Sequence, residues 1–162
     1  MVSFCDNLLS LPLHMWEMPS LSYLSISHCP KLISLPKGGL HHLTELKELE
    51  IGPLSEKIDF EAFQLIFNGI QQLLSLRALS VYGHLHWDSL PNQLMQLSAL
   101  KEIYIFEFGI EVLPHSLCNL TSLERLHLEM CKRLQHVDFL DAIPKLRDLQ
   151  ILDCPLLEVL SD

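Results

Sequence analysis

Three places in this 162-residue chain bring together side chains able to do chemistry. In LERLHLEMCKRLQHV, residues 123–137, the thiol of Cys131 stands between a carboxylate, Glu129, and two bases, Lys132 and Arg133, with His127 and His136 on either side. A thiol beside an imidazole is the minimum of a nucleophilic pair, and thiol with imidazole is also a metal-ligand set. His41 with His42, and His84 with His86, offer paired imidazoles.

Each candidate has to meet a geometric demand. Catalysis needs a nucleophile, a base and an orienting group held together, and a reactive cysteine needs an accessible, electropositive setting. Zinc needs four ligands, and two imidazoles do not close a tetrahedron; no cysteine pair lies at ligand spacing to complete it. Whether Cys131 and His127 can meet depends on the elements that carry them.

Those elements repeat. Leu21, Leu24, Ile26, Cys29, Leu32 and Leu35 share a frame with Leu123, Leu126, Leu128, Cys131, Leu134 and Val137, and with Leu146, Leu149, Ile151, Cys154, Leu157 and Leu160. Val2, Cys5, Leu8 and Leu11 match the later part of another copy. Weaker copies begin at Leu46, Leu76 and Leu100, so onsets fall at 21, 46, 76, 100, 123 and 146. Between copies the apolar residues advance by threes, as in Leu94, Leu97, Leu100 and Leu117, Leu120, Leu123.

The change of period inside each unit has a direct physical reading. The L-x-L segment alternates as a strand with one buried face, and three-residue steps suit 3₁₀ or short helical turns returning along the other side. Each unit is therefore one coil of an α/β solenoid. A single coil cannot enclose its leucines, so neighbouring coils must stack to remove them from water. At about 25 cal/mol per Å² of apolar area, that column supplies most of the drive to fold. The frame aims Cys131 inwards, as a small buried side chain stacked on its equivalent in the next coil, and His127 outwards. The bland reading of the thiol as structural follows. His84 takes the cysteine slot in the copy starting at Leu76, with Trp87 in the next core slot, and Phe108 takes it in the following copy.

Composition bounds the partners. Hydrophobic residues make up 49% and charged residues 19%, which places the chain among folded proteins. With 20 acidic against 11 basic residues the net charge is -9, so the overall field repels nucleic acid and anionic membranes. No apolar run approaches the ~20 residues of a membrane span, and no secretion signal opens the sequence. Five scattered cysteines fit reduced thiols. A cytoplasmic location is the expectation.

Outward strand positions stack into columns about 4.8 Å apart. The fifth-slot column is Ser25, Glu50, Ser80, Tyr104, His127 and Gln150; the seventh-slot column is Ser27, Gly52, Tyr82, Phe106, Glu129 and Leu152. Tyr82, Tyr104 and Phe106 therefore cluster, and large aromatics on an open face are candidates for interface anchors. Packing between neighbouring strands accounts for them equally well. The candidate partner-binding patch is Tyr82, Tyr104, Phe106, His127 and Glu129. Beside it, Lys47, Arg77, Lys101 and Arg147 form a basic column next to acidic Glu48, Glu102 and Asp148, a pattern of a solvated face with cross-strand pairing.

The frame L-x-x-L-x-L-x-x-C-x-x-L-x-x-L-P, seen in LSYLSISHCPKLISLP and echoed in VLPHSLCNLTSLERLHLEMCKRL, resembles the leucine-rich repeats of plant intracellular nucleotide-binding disease-resistance receptors, most closely the coiled-coil class. The resemblance covers nearly the whole chain. It implies a right-handed leucine-rich-repeat superhelix with a concave parallel β-sheet and convex turns or short helices, residues 1–162 forming one domain of six to seven repeats with a long, irregular repeat at 46–75. It also implies a protein-recognition module that senses a pathogen effector, directly or through a guarded host protein, and that restrains the adjoining nucleotide-binding domain of the same receptor. The alternative is a scaffold or substrate adaptor, such as the repeat portion of a ubiquitin-ligase receptor. No phosphate-binding loop occurs, so ATP hydrolysis is not expected of this chain; with Cys131 and His127 aimed to opposite sides, no enzyme activity is expected, and no cofactor. Met1 falls inside a repeat with no polar cap, and the expectation is a fragment of a larger receptor.

Two local expectations remain. In SEKIDFEAFQLIFNGIQQLL, Phe60, Phe63, Phe67, Ile70 and Leu74 are spaced for one face of a convex helix, with Asp59 as its cap. Trp16, between core Met15 and Met18, is expected to be exposed on the convex side.

Overall fold

The computed structural model describes residues 2–3, 5–33, 39–137 and 140–158. Seven strands, β1 (Val2–Ser3), β2 (Tyr23–Ser27), β3 (Glu48–Ile51), β4 (Ala78–Tyr82), β5 (Glu102–Phe106), β6 (Arg125–Glu129) and β7 (Asp148–Leu152), form one parallel sheet in chain order. Each coil joins the one before it through the residue that leads into its strand. The N–H of Arg77 donates to the Lys47 carbonyl at 2.8 Å, Lys101 to Arg77 at 2.9 Å, and Glu124 to Lys101 at 2.8 Å. Register is thereby fixed, and the L-x-L pairs coincide: Leu49, Leu79, Ile103, Leu126 and Leu149 line up, as do Ile51, Val81, Ile105, Leu128 and Ile151.

Behind the sheet run short 3₁₀ turns, among them Leu40–His42, Asn92–Gln96 and His115–Asn119. The three-residue step of the leucines is the step of the hydrogen bonds. Leu43 N–H donates to Leu40 and Leu46 to Leu43, at 2.9 and 3.0 Å; Leu120 donates to Leu117 and Leu123 to Leu120, at 3.0 and 2.9 Å. Every third side chain then meets the core, where Leu40, Leu43, Leu46, Leu117, Leu120 and Leu123 are wholly buried.

Strands end at a recurring corner. His28, Glu107, Met130 and Asp153, at equivalent positions just after their strands, all take left-handed backbone angles, with φ of 52° to 57°. That conformation is costly for L-residues and turns the next side chain into the core. The next residue is Cys29, Phe108, Cys131 or Cys154. The cysteine thiols donate back across the corner, Cys29 to the Ser27 carbonyl at 3.3 Å, Cys131 to Glu129 at 3.7 Å and Cys154 to Leu152 at 3.4 Å. A small, apolar side chain with one weak donor suits this slot.

The stretch between β3 and β4 departs from the expected single helix. Asp59 does cap a helix, α1 (Phe60–Leu65), its carboxylate accepting from the Ala62 N–H at 2.7 Å. The helix stops after six residues, and Gly69, at φ +84°, starts a 3₁₀ turn at Ile70–Gln72. The chain returns to three-residue steps, so Leu73 is buried and Leu74 is 74% exposed. Phe63 packs 4.6 Å from Trp87 and 6.3 Å from Phe108, centroid to centroid. The insertion thus packs Phe63 against the large rings that stand in the leucine and cysteine slots of the following coils.

Trp16 also departs from expectation: it is 4% exposed, while Met18 is 43% exposed. The cause is Gly39, whose missing side chain makes room for the indole; a Cβ there would lie 2.0 Å from Trp16 Cδ1. Leu149 is 42% exposed because β7 is an edge strand, with no further coil packed on it among the described residues. The expected core positions Leu35 and Leu160, and the Leu-Pro step at Pro36, lie outside the described residues, as does the side chain of Met15.

Candidate protein-interaction surface

The five candidate patch residues come from three adjacent strands, Tyr82 from β4 and pairs two positions apart from β5 and β6, so that all emerge on one face of the sheet. Ser80, Tyr104 and His127 are register partners, and so are Tyr82, Phe106 and Glu129. Tyr82 and Phe106 stack with centroids 4.3 Å apart and planes inclined by 7°. The ring of His127 lies 5.6 Å from Phe106 and 5.8 Å from Tyr104. All five side chains are half-buried, which leaves one edge of the cluster open.

Hydrogen bonds lock the cluster. His127 Nε2 pairs with Glu129 Oε2 at 3.0 Å and its Nδ1 with Gln150 Oε1 at 3.2 Å. Tyr104 donates to Glu102 Oε2 at 2.9 Å, and the other Glu102 oxygen accepts from Arg125 on the next strand. The Arg125 hydrogen bond holds the Glu102 carboxyl below its ordinary pKa, against the opposing effect of burial. Burial raises the Tyr104 phenol, and the hydrogen bond to Glu102 adds to it. The Tyr82 phenol is raised by burial first, then by the negative charges of Glu50 and Glu129.

No family model matches the chain. It is 32% identical over 167 residues to TMV resistance protein N from Nicotiana glutinosa, an alignment covering 91% of this chain and 14% of that protein. The chain therefore spans about one seventh of the length of that curated relative. Among solved structures it resembles the leucine-rich repeat domain of the type III effector XopL, with a TM-score of 0.66 and 23% identity over 93% of this chain and 51% of the other. An internalin from Listeria monocytogenes follows the same path with a TM-score of 0.51 and 16% identity, over 94% of this chain and 50% of the other. The coil-by-coil register and these likenesses agree. The chain is a leucine-rich-repeat solenoid.

Within the leucine-rich-repeat frame the other chemical candidates separate. Cys131 is wholly buried and His127 points to the opposite side of the sheet. Burial pushes the Cys131 thiol up to about 11, away from thiolate chemistry at neutral pH. The rings of His84 and His86 stack 5.4 Å apart, and those of His41 and His42 lie 4.0 Å apart. Among the described residues no group of three or more His, Cys, Asp or Glu is placed to hold a metal ion. No helix among them is long and apolar enough to cross a membrane.

Cross-strand pairs form, but among the described residues they run along the basic column through Glu124 and not from that column to Glu48, Glu102 or Asp148. Lys101 meets Glu124 at 3.2 Å, and Arg147 reaches the other Glu124 oxygen. Sequence reasoning missed two contributors to the leucine-rich-repeat face. Tyr23 donates to Glu50 Oε2 at 3.2 Å, and its third-slot position on β2 was legible in the frame. His28 stands 6.2 Å from Tyr82, ring to ring, and no signal marked it, because only the left-handed corner brings it there.

Proposed function

We propose that this solenoid is the protein-recognition region of an intracellular plant immune receptor, acting in the cytoplasm without enzymatic chemistry of its own. The stacked, half-open Tyr82–Phe106 pair, flanked by Tyr104, His127 and Glu129, carries the reading of the sheet face as a protein-binding surface. Rigid aromatic rings already held in place lose little conformational freedom when a partner covers them. The 32% identity to TMV resistance protein N along 91% of the chain supports the receptor context. In that context the face senses a pathogen effector or a guarded host protein, and the solenoid restrains an adjoining nucleotide-binding domain.

The test uses the longer native chain, bearing Tyr104→Ala and Phe106→Ala together, in a pull-down and in a leaf cell-death assay. The double variant is expected to lose its partner with its circular dichroism unchanged. Retained partner binding would overturn the patch. Deleting the solenoid from the longer chain is expected to release cell death without an effector; continued silence would overturn the restraint.

A further inference from the structure

A second feature of the sheet face lies beside the aromatic patch. The first two outward residues of β4, ahead of Tyr82, are Ala78 and Ser80, both small, whereas their register partners are Glu48 and Glu50 on β3 and Glu102 and Tyr104 on β5. The difference in side-chain length leaves a cavity of about 480 Å³. Tyr23 and Tyr104 also line it, and each is tied to a carboxylate, Tyr23 to Glu50 and Tyr104 to Glu102.

Its charges are unevenly satisfied. Glu102 is engaged by both Arg125 and Tyr104, but among the described residues no ion pair joins Glu48 or Glu50 to a cation. Lys47 and Arg77, the residues that lead into β3 and β4, also line the cavity. The guanidinium of Arg77 is turned to the carbonyls of Leu74 and Leu76, at 2.8 and 3.1 Å. In the other direction the face is acidic. The outward fifth, seventh and eighth positions of the coils contain Glu50, Glu107, Glu129 and Asp153 and no lysine or arginine.

We infer that this notch binds the side chain of an arginine presented by a segment of a partner protein. A guanidinium is flat enough to lie against phenol rings and carries donors in a fork that matches carboxylates. Glu48 and Glu50, two apart on β3 and so on the same face, are the acceptors; Tyr23 and Tyr104 are the walls. The small β4 residues supply the depth. The inference rests on the reading of this face as a protein-binding surface and names the chemistry of what it binds.

The test is an NMR titration of the isotopically labelled chain with acetyl-Gly-Arg-Gly-amide, set against the same peptide with citrulline, which keeps the shape and removes the charge. Saturable shifts are expected at the amides of Glu50, Ala78 and Ser80 with arginine and not with citrulline. Loss of a charge-assisted bond in Glu48→Gln with Glu50→Gln is expected to weaken binding about tenfold. Ser80→Phe, which fills the notch, is expected to abolish it with the remaining spectrum intact. An equal response to citrulline, absence of saturable shifts at these amides, or full binding by the charge-neutralised variant overturns the inference. The wider reading is judged separately: partner capture lost on Tyr104→Ala with Phe106→Ala, but untouched by Ser80→Phe, leaves it standing and defeats the arginine notch alone.

Discussion

Tyr82 and Phe106 occupy register-paired positions on β4 and β5 and stack 4.3 Å apart at an angle of only 7°. The pair does two jobs at once. It ties neighbouring coils together, and it presents a rigid aromatic edge at the open face. Its contribution to stability is separable from any contribution to binding, because an aromatic pair is worth about 0.5–1.5 kcal/mol beyond its burial. A double-mutant cycle with Tyr82→Ala and Phe106→Ala, read by urea unfolding, is expected to give a coupling energy in that range. Additive effects of the two substitutions would show that the rings stack without stabilising each other.

The cysteine corner predicts a graded response at Cys131. Cys131→Ser preserves a donor for the Glu129 carbonyl and is expected to cost about 1 kcal/mol. Cys131→Asp places an unpaired carboxylate in a wholly buried slot and is expected to cost about 3–5 kcal/mol, enough to unfold the coils around β6 and β7. Circular dichroism and urea melts decide between them. Equal stability of the two variants would contradict the burial argument.

Much of this architecture was readable in the residues because it repeats. The alternation of Leu126 and Leu128 sets both the strand and its buried face, and the period alone places Tyr104 beside His127. Asp59 announced its helix by a general capping preference. What escaped was whatever a single coil decides for itself. Leu73 and Leu74 are identical in type, and only the restart of the 3₁₀ ladder at Gly69 buries the first and exposes the second. The burial of Trp16 depends on Gly39, more than twenty residues away. The left-handed corners at Glu107 and Met130 use residues with no preference for that conformation, because the buried ring or thiol that follows imposes it.

The irregular coil offers a steric test. A Cβ at Gly83 would lie 2.7 Å from the Phe108 ring, which is itself wedged against Phe63 and Trp87. Gly83→Ala is expected to cost about 1–3 kcal/mol by overpacking, and Phe108→Leu in the same chain is expected to recover part of the loss by withdrawing the ring. Thermal melts of the two single variants and the double variant give the comparison. No recovery in the double variant would place the strain elsewhere.

The helix cap is a smaller effect with a clean control. Asp59→Ala removes the acceptor for the Ala62 N–H and is expected to lower stability by about 1 kcal/mol, while Asp59→Asn keeps an acceptor and most of the stability. Hydrogen exchange at the Ala62 amide should quicken in the first variant and not in the second. Matching exchange rates in both would remove the cap from the account of α1.

Glu102 links stability to acidity. Its carboxyl is held below its ordinary pKa, chiefly by the hydrogen bond from Arg125. A depressed folded-state pKa means that the unfolded chain takes up the proton first as pH falls. The stabilisation is therefore complete above the unfolded-state pKa and lost as pH drops through the folded-state value. Glu102→Gln, which cannot ionise, is expected to melt at a lower temperature than the parent at neutral pH and to approach it in acid. The same substitution leaves Tyr104 an acceptor, so the aromatic patch keeps its position while the ion pair is removed. A constant difference in melting temperature from neutral to strongly acidic pH would show that the Arg125 pair contributes nothing through the charge of Glu102.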